Sequence, residues 1–185
     1  MDVIEAIKNR RSIRQYQSTP ISDKDLATVL EAARWAPSWK NCQCTRLIVV
    51  QDSQTKAKLA ETLSPNNPSS AAIKQAPVAI VACAELKKSG YGRGQAETDK
   101  GDWWFMFDVA LATQNLVLAA YSLGLSTVYV GLFDAAGAAK LLNVPEGFAV
   151  VAILPLGYAA AESRAPQRKE LSETVFYESW GKSSR

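Results

Sequence analysis

The chain has 185 residues, of which 48% are hydrophobic and 21% charged, a composition typical of one compact globular domain and not of a disordered segment. Its formal net charge of +3 is well below the strongly basic balance of a dedicated nucleic-acid module. The chain contains no histidine, which excludes Ser-His-Asp and Cys-His catalysis and His-ligated zinc hydrolases, so that acid–base work falls to carboxylates, Lys, Tyr, water or a cofactor.

The first predicted helix begins after Asp2, an N-cap with the acid Glu5 at position N3, and ends near Asn9. A basic cluster follows it, made of Arg10, Arg11, Ser12 and Arg14. Guanidinium groups beside a hydroxyl suit a phosphate or another bidentate anion. Cations at the end of a helix also complement the helix dipole, and a basic run is also typical of a solvated face or a nucleic-acid contact. The charge pattern alone leaves these alternatives open.

A second helix is predicted from Ser22 until Pro37 ends it, and residues 36–44 are predicted as a loop. That loop carries Cys42 and Cys44, and Cys83 is the third cysteine of the chain. Three cysteines do not form a disulfide framework and the N-terminal residues lack a signal-peptide pattern, so we expect a reducing cytoplasm. The Cys42-x-Cys44 spacing is half of a zinc-site pattern. Because no second pair and no histidine complete it, no metal is expected.

The middle of the chain is predicted to form a buried strand at 47–50, a helix at 55–63 and a second strand at 78–84. Between Leu86 and Asp102 the sequence becomes polar and rich in glycine, which predicts a long mobile loop. The spacing of Gly90, Gly92 and Gly94 departs from the dinucleotide-binding fingerprint and lies well past its strand. A flexible lid and a solvent-exposed insertion remain the two interpretations of this segment.

The longest predicted helix covers residues 103–123 and is apolar over most of its circumference. A central aspartate costs about 2.5 to 3.5 kcal/mol on insertion scales, which argues against a membrane span. Small and polar residues form a stripe along the helix, at Asp108, Ala112, Asn115, Ala119 and Ser122. Such a stripe lets another helix approach closely, and the apolar remainder must be covered on several sides. We therefore predict a homodimer packed on this helix.

The last third of the chain is predicted to begin with Gly124 as a helix C-cap, followed by a strand at 127–130 and a turn into a short helix. A fourth strand is predicted at 148–156, and a long tail follows with the basic pair Arg168 and Lys169. No internal repeat and no second domain are predicted. Residues 1–185 are therefore expected to form a single domain.

Six short motifs, in a specific order and spacing, give the chain a family resemblance. They are Arg10-Arg11-Ser12-Ile13-Arg14-Gln15-Tyr16, Ala36-Pro37-Ser38 with Asn41 and Gln43, Gln114-Asn115-Leu116 to Leu123-Gly124-Leu125, Tyr129-Val130-Gly131, Leu156-Gly157-Tyr158 and Arg168-Lys169. With these motifs the chain resembles the FMN-dependent nitroreductase family over nearly its whole length. It departs from the family after Asn-x-Gln, where Pro and an aromatic residue are common and this chain has Cys44-Thr45-Arg46.

The resemblance implies an α+β, three-layer sandwich, with a mainly antiparallel sheet flanked by helices and the long helix at a homodimer interface. It also implies an FMN site. The phosphate, ribityl chain and ring edge would be held by Arg10, Arg11, Ser12, Arg14, Arg168 and Lys169, with Pro37, Ser38 and Asn41 from the second subunit and the backbone of Gly131 and Leu132 facing the ring. A phosphomonoester carries about −1.5 to −2 charge at neutral pH, which suits several cations from distant parts of the chain.

The activity implied by the resemblance is an oxidoreductase that passes hydride from NADH or NADPH through flavin N5 to a small organic acceptor, such as a nitroaromatic or a quinone, in a ping-pong cycle. No catalytic side chain is nominated, because the flavin carries the chemistry. The segment 87–102, with Tyr91 and Arg93, is a candidate substrate gate. Two alternatives are a flavin-binding protein without turnover and a basic phosphate- or nucleic-acid-binding module. Neither a nucleic-acid nor a membrane partner is expected.

Overall fold

The computed structural model describes residues 1–183 and consists of one main sheet between two layers of helices. The helices are α1 (Val3–Asn9), α2 (Asp23–Arg34), α3 (Ser53–Glu61), α4 (Ser69–Gln75), α5 (Trp104–Ser122), α6 (Ala135–Leu141) and α7 (Leu171–Thr174). The strands are β1 (Thr45–Val50), β2 (Val78–Glu85), β3 (Tyr91–Gly92), β4 (Gln95–Ala96), β5 (Ser126–Thr127) and β6 (Phe148–Gly157). The main sheet is antiparallel with the order β1-β2-β6-β5, and β3 and β4 form a separate hairpin.

Strand β2 lies in the middle of the three layers and is buried on both faces. Its side chains alternate between the faces, as the pleat of a strand requires. Ile80 and Ala82 pack in the core formed with α2 and α5, whereas Val81 and Cys83 pack in the core formed with α3, α4 and α6. The three-layer α+β sandwich and the mainly antiparallel sheet expected from the sequence are thereby confirmed.

The polar stripe on α5 packs largely inside its own chain. Asp108 and Ala112 are buried, and the side-chain amide of Asn115 donates to the backbone carbonyl of Ala32 in α2 at 3.3 Å. Helix α2 therefore approaches this stripe closely within the chain, and the homodimer packed on α5 stays a prediction. None of the described helices is long and apolar enough to span a membrane.

Three local predictions differ from the structure. Helix α4 was not predicted, because its seven residues are too few to show a helical period beside the Pro-rich break before it. The segment 86–102 is not one long loop, since it contains the β3–β4 hairpin and a turn of 3₁₀ helix at Gly101–Trp103. The strand predicted at 127–130 is reduced to β5 and one isolated bridge between Val130 and Ile153.

Candidate functional site

The arginine cluster lies on a segment fixed to the edge of the main sheet. Ser12 forms a parallel bridge with Thr127 of β5, and the backbone N–H of Ile13 donates to the Thr127 carbonyl at 3.0 Å. The hydroxyl of the buried Tyr16 donates to the carbonyls of Ile13 at 2.7 Å and Pro155 at 3.3 Å. These bonds hold the backbone under the arginines in one position.

The same segment also draws the C-terminal tail toward the arginines. The backbone N–H of Gln17 donates to the Tyr158 carbonyl at 2.9 Å, and the N–H of Ala160 donates to the Gln15 carbonyl at 2.9 Å. The side-chain amide of Gln17 adds a bond to the Ala159 carbonyl at 2.8 Å. Residues that follow Ala160 therefore begin beside the cluster, although they are far from it in sequence.

A cavity of about 220 Å³ lies where the cluster and the tail meet. Its walls are formed by Arg10, Arg11, Ser12, Arg14, Ser163, Arg164, Pro166 and Arg168. These wall residues include five arginines, two serines and no carboxylate. Such a donor set suits a phosphate dianion, because each guanidinium offers planar, paired N–H donors.

The structure refines the roles predicted for individual basic residues. Arg168 joins the cluster as predicted, whereas the exposed Lys169 is not among the residues that line this cavity. Arg164 was missed, although its position four residues before Arg168 in a basic tail was a usable signal. One nitrogen of Arg11 donates to the carbonyls of Lys8 at 2.7 Å and Arg10 at 2.9 Å. Part of this side chain therefore caps the end of α1, which was one of the alternatives to an anion site.

A larger cavity of about 580 Å³ adjoins the arginine cavity, and Arg11 and Ser163 line both. The other wall residues of the larger cavity are Asn9, Ile13, Tyr121, Ser126, Ala159, Ala160, Ala161, Glu162 and Ala165. Together the two spaces offer a basic end for an anion and a roomier continuation for the rest of a ligand.

The backbone at Gly131 and Leu132 is open to solvent. Leu132 is 73% exposed, and a Cβ at Gly131 would have no heavy atom within 4 Å. The preceding Tyr129 has a pKa raised by its burial, while a hydrogen bond with Thr113 and the charge of Arg10 act in the opposite direction. The charge of Arg10 therefore acts on Tyr129, two residues before Gly131.

The predicted cofactor residues Pro37 and Ser38 lie elsewhere in the chain. They line a cavity of about 250 Å³ that shares no wall residue with the arginine cavity. Asn41 is exposed, with a left-handed φ of 54°, and the Ser38 hydroxyl accepts from the Gln43 N–H at 2.9 Å. Within one chain, the predicted cofactor residues thus form two separate groups.

A buried carboxylate fastens the loop that carries Ser38 to helix α5. Asp108 accepts hydrogen bonds from the Ser89 hydroxyl at 2.6 Å, from the Trp39 N–H at 3.1 Å, and from the thiols of Cys42 and Cys44 at 3.6 Å each. Burial, together with the nearby Cys42 and Asp108, raises the pKa of Cys44 to about 12. In the sequence, Asp108 is recognisable only as part of the polar stripe, and this cluster was not predicted. The single charge within an apolar helix was the available signal.

The hairpin segment predicted as a substrate gate is tied to its surroundings. Lys40 forms an ion pair with Glu97, and the Tyr91 hydroxyl donates to Asp102. Beside them, the ring of Trp104 lies 5.1 Å from that of Trp39 and 5.6 Å from that of Phe107. These contacts hold the hairpin against the loop that carries Lys40, and its gating role stays a prediction.

Comparison with known proteins places these features in context. The family described as the nitroreductase family matches residues 7–72 and 63–158 of the chain. A Methanothermobacter thermautotrophicus protein, provisionally named NADH dehydrogenase/NAD(P)H nitroreductase, is 35% identical over 164 residues, which cover 86% of this chain and 78% of that protein.

Two flavin enzymes are also similar to the chain. The FMN reductase [NAD(P)H] of Bacillus subtilis is 30% identical over 181 residues, covering 90% of this chain and 70% of the relative. The solved structure of the Vibrio harveyi NADPH:FMN oxidoreductase complexed with NAD+ has a TM-score of 0.84 at 27% identity, covering 97% of this chain and 78% of the other.

Proposed function

The chain belongs to the nitroreductase family, and on that premise we propose that it passes hydride from NADH or NADPH to a small organic acceptor. It is an NAD(P)H-dependent oxidoreductase with FMN as its cofactor, in keeping with the names of its relatives. The acceptor class in the proposal is a nitroaromatic, a quinone or a related compound. The proposed order of reaction is ping-pong.

The observation that carries the proposal is the arginine cavity. FMN has one phosphate, and the guanidinium groups of Arg10, Arg14 and Arg168 converge on a space without a carboxylate among its described wall residues. We assign these three arginines, with Arg164 and the Ser12 hydroxyl, to the phosphate. Arg11 has fewer free donors because it also caps α1, and Lys169 is assigned to the outer edge of the same site.

The second group of residues is proposed to come from a partner subunit. Pro37, Ser38 and Asn41 would then complete the site around the ring, with the open backbone of Gly131 and Leu132 on the opposite side. A homodimer is supported by large apolar side chains that remain exposed in one chain. They are Val3, Ile4, Ile7, Trp103, Met106 and Phe107, each at least 48% exposed. Large apolar side chains that a single chain leaves exposed are candidates for a protein interface.

The chemistry that FMN supplies when bound is hydride transfer from the nicotinamide through N5 to the acceptor. The residues of the chain are assigned to binding and orientation only. The arginines neutralise the phosphate, and the segment from Ser12 to Tyr16, which is held to the sheet edge, fixes their backbone. Because the chain has no histidine, protons for the acceptor are assigned to water or a nearby donor.

A reducing cytoplasm is the proposed setting. Cys42, Cys44 and Cys83 are all free thiols in the structure, which is the state that a reducing compartment maintains.

The test is a steady-state assay of NADH and NADPH oxidation by the purified, FMN-loaded protein with a quinone and with a nitroaromatic compound. The proposal expects acceptor-dependent oxidation of at least one nicotinamide. A yellow protein that oxidises neither would instead be a flavin-binding protein without turnover. A colourless protein that binds an oligonucleotide with a steep dependence on salt would be the basic binding module.

A further inference from the structure

A second cluster of chemically reactive side chains lies apart from the arginine cavity. It consists of the thiols of Cys42 and Cys44 and the carboxylate of Asp108, whose ligand atoms all lie within 4.8 Å of one another. Two of these residues lie on the loop after α2 and the third on α5. The proposed flavin chemistry uses none of the three.

The loop bends so that both thiols reach the same carboxylate. Gln43, the residue between the cysteines, has a left-handed φ of 49°, and Lys40 and Asn41 before it have φ of 44° and 54°. Such conformations are unfavourable for most residues and persist where the surrounding structure imposes them. The result is that each sulfur lies 3.6 Å from the same oxygen, Oδ2 of Asp108.

These separations match a tetrahedral metal centre. Zinc binds thiolate sulfur at about 2.3 Å and carboxylate oxygen at about 2.0 Å, and a tetrahedral angle between such ligands places sulfur and oxygen about 3.5 Å apart. Ser89 is suited to a supporting role, because its hydroxyl donates to the same carboxylate oxygen at 2.6 Å and orients it. Thiolates select soft or borderline cations such as zinc over magnesium or calcium.

The charge of the cluster also favours a cation. Asp108 is 2% exposed, and all four of its described hydrogen-bond donors are neutral groups. A buried carboxylate is normally paired with a cation or a metal. Asp108 also lines the cavity of about 250 Å³ that contains Ser38, which gives an ion and one water ligand a route to the cluster.

We propose that Cys42, Cys44 and Asp108 form a binding site for a soft or borderline divalent cation, for which zinc is the natural probe. Binding replaces two thiol protons by one metal ion, so that M²⁺ and two S–H groups give one M(S)₂ unit and two released protons, with no change of oxidation state. Because two ligands lie on the loop and one on α5, the ion fastens that loop to the helix. The sequence alone predicted no metal, since the third ligand is distant in sequence.

The experiment is a titration of the reduced, untagged protein with Co²⁺, followed by displacement with Zn²⁺. The chain has no histidine, so thiolate-to-cobalt charge-transfer absorption reports on cysteine ligands without that background. Difference spectra remove the flavin bands. Cys42→Ser and Cys44→Ser test the two thiols separately, Cys83→Ala is the matched control, and circular dichroism checks that each variant is folded.

The site predicts a charge-transfer band that saturates at one Co²⁺ per chain, the release of two protons per ion, and loss of the band on addition of Zn²⁺. The Cys83→Ala protein should keep the band, and a folded Cys42→Ser or Cys44→Ser protein should lose it. The proposal is overturned if the folded wild-type protein shows no band, or if the band survives in either Ser variant. Both outcomes leave the FMN proposal untouched, because they do not involve the arginine cavity.

Discussion

The arginine cavity and the Asp108 cluster are two charged regions of one chain, built in opposite ways. The arginine cavity gathers like charges at the surface, where water screens their repulsion and a ligand phosphate can neutralise them. The Asp108 cluster places one carboxylate in the interior, where it depends on neutral donors from two segments, the loop at 39–44 and Ser89. The first region is suited to reversible binding of a large anion, whereas the second holds the structure together.

Removal of the buried carboxylate should have the largest effect on stability. Asp108→Ala leaves the Trp39 N–H, the Ser89 hydroxyl and both thiols without their acceptor. Each buried donor left unsatisfied costs about 1 to 3 kcal/mol, so the free energy of unfolding should fall by about 3 kcal/mol or more. Urea denaturation measures the change.

The matched control for that substitution is Asp99→Ala, because the Asp99 side chain is 79% exposed. It should change the free energy of unfolding by less than about 0.5 kcal/mol. Equal effects of the two substitutions would show that burial does not distinguish Asp108 from a surface carboxylate.

Substitutions in the arginine cavity should act on binding and leave stability almost unchanged. Arg10→Ala and Arg168→Ala should each weaken FMN binding by about 1.5 to 3 kcal/mol, the usual value of a hydrogen bond to a charged group. That loss corresponds to about a 10- to 150-fold increase in Kd. Fluorescence titration with FMN measures it, and Arg93→Ala in the β3–β4 turn is the control. Unchanged affinity in both cavity variants would show that the phosphate is bound elsewhere.

Tyr16 is a buried support of the arginine cavity, since its hydroxyl holds the backbone of the segment that carries the arginines. Tyr16→Phe should cost about 1 kcal/mol at neutral pH, because the carbonyls of Ile13 and Pro155 lose a donor. Burial raises the pKa of Tyr16 well above its ordinary value of about 10, with Arg14 acting in the opposite direction.

The sign of the pH effect follows from that shift. Below pH of about 10 the tyrosine is protonated in both the folded and the unfolded protein, and its contribution to stability is fully present. As the pH rises above that value only the unfolded chain ionises, so stability falls. Denaturation curves at alkaline pH should therefore show a steeper loss for the wild-type protein than for Tyr16→Phe. Parallel losses would mean that Tyr16 is accessible to water.

The smallest effect is expected at the surface above the Asp108 cluster. Lys40→Ala removes the ion pair with Glu97, whose side chains are 64% and 35% exposed. Exposed ion pairs contribute about 0 to 1 kcal/mol, so the urea midpoint should move little. Arg34→Ala, which breaks another exposed pair, should behave in the same way. A loss for Lys40→Ala as large as that for Asp108→Ala would show that the hairpin, and not the carboxylate, fastens the loop.

The sequence predicts the arginine region better than the Asp108 region, for a physical reason. Arg10, Arg11 and Arg14 lie within five positions, so their shared charge is visible as a sequence pattern. The order of helices and main strands likewise follows from hydrophobic periodicity. The Asp108 cluster joins residues from positions 39 to 108, and no local pattern brings them together.

The points on which the sequence was ambiguous or incomplete have similar causes. The polar stripe on α5 correctly predicts a close helix neighbour, but the pattern cannot tell whether that neighbour is α2 or a second subunit. The convergence of Arg164 with the cluster depends on the pairing of Gln15 and Gln17 with the tail, which is a long-range contact. Short elements such as α4 and the β3–β4 hairpin have too few residues to show a period.

In the proposed function, the arginine cavity holds the phosphate of an FMN that is reduced by NAD(P)H. Its most direct test is an anaerobic titration of the purified, FMN-reconstituted protein with NADH and with NADPH, followed by absorbance in the flavin band. The account predicts stoichiometric FMN, bleaching of the band by at least one nicotinamide, and its return when a quinone or a nitroaromatic compound is added. A colourless protein that cannot be reconstituted with FMN would contradict it.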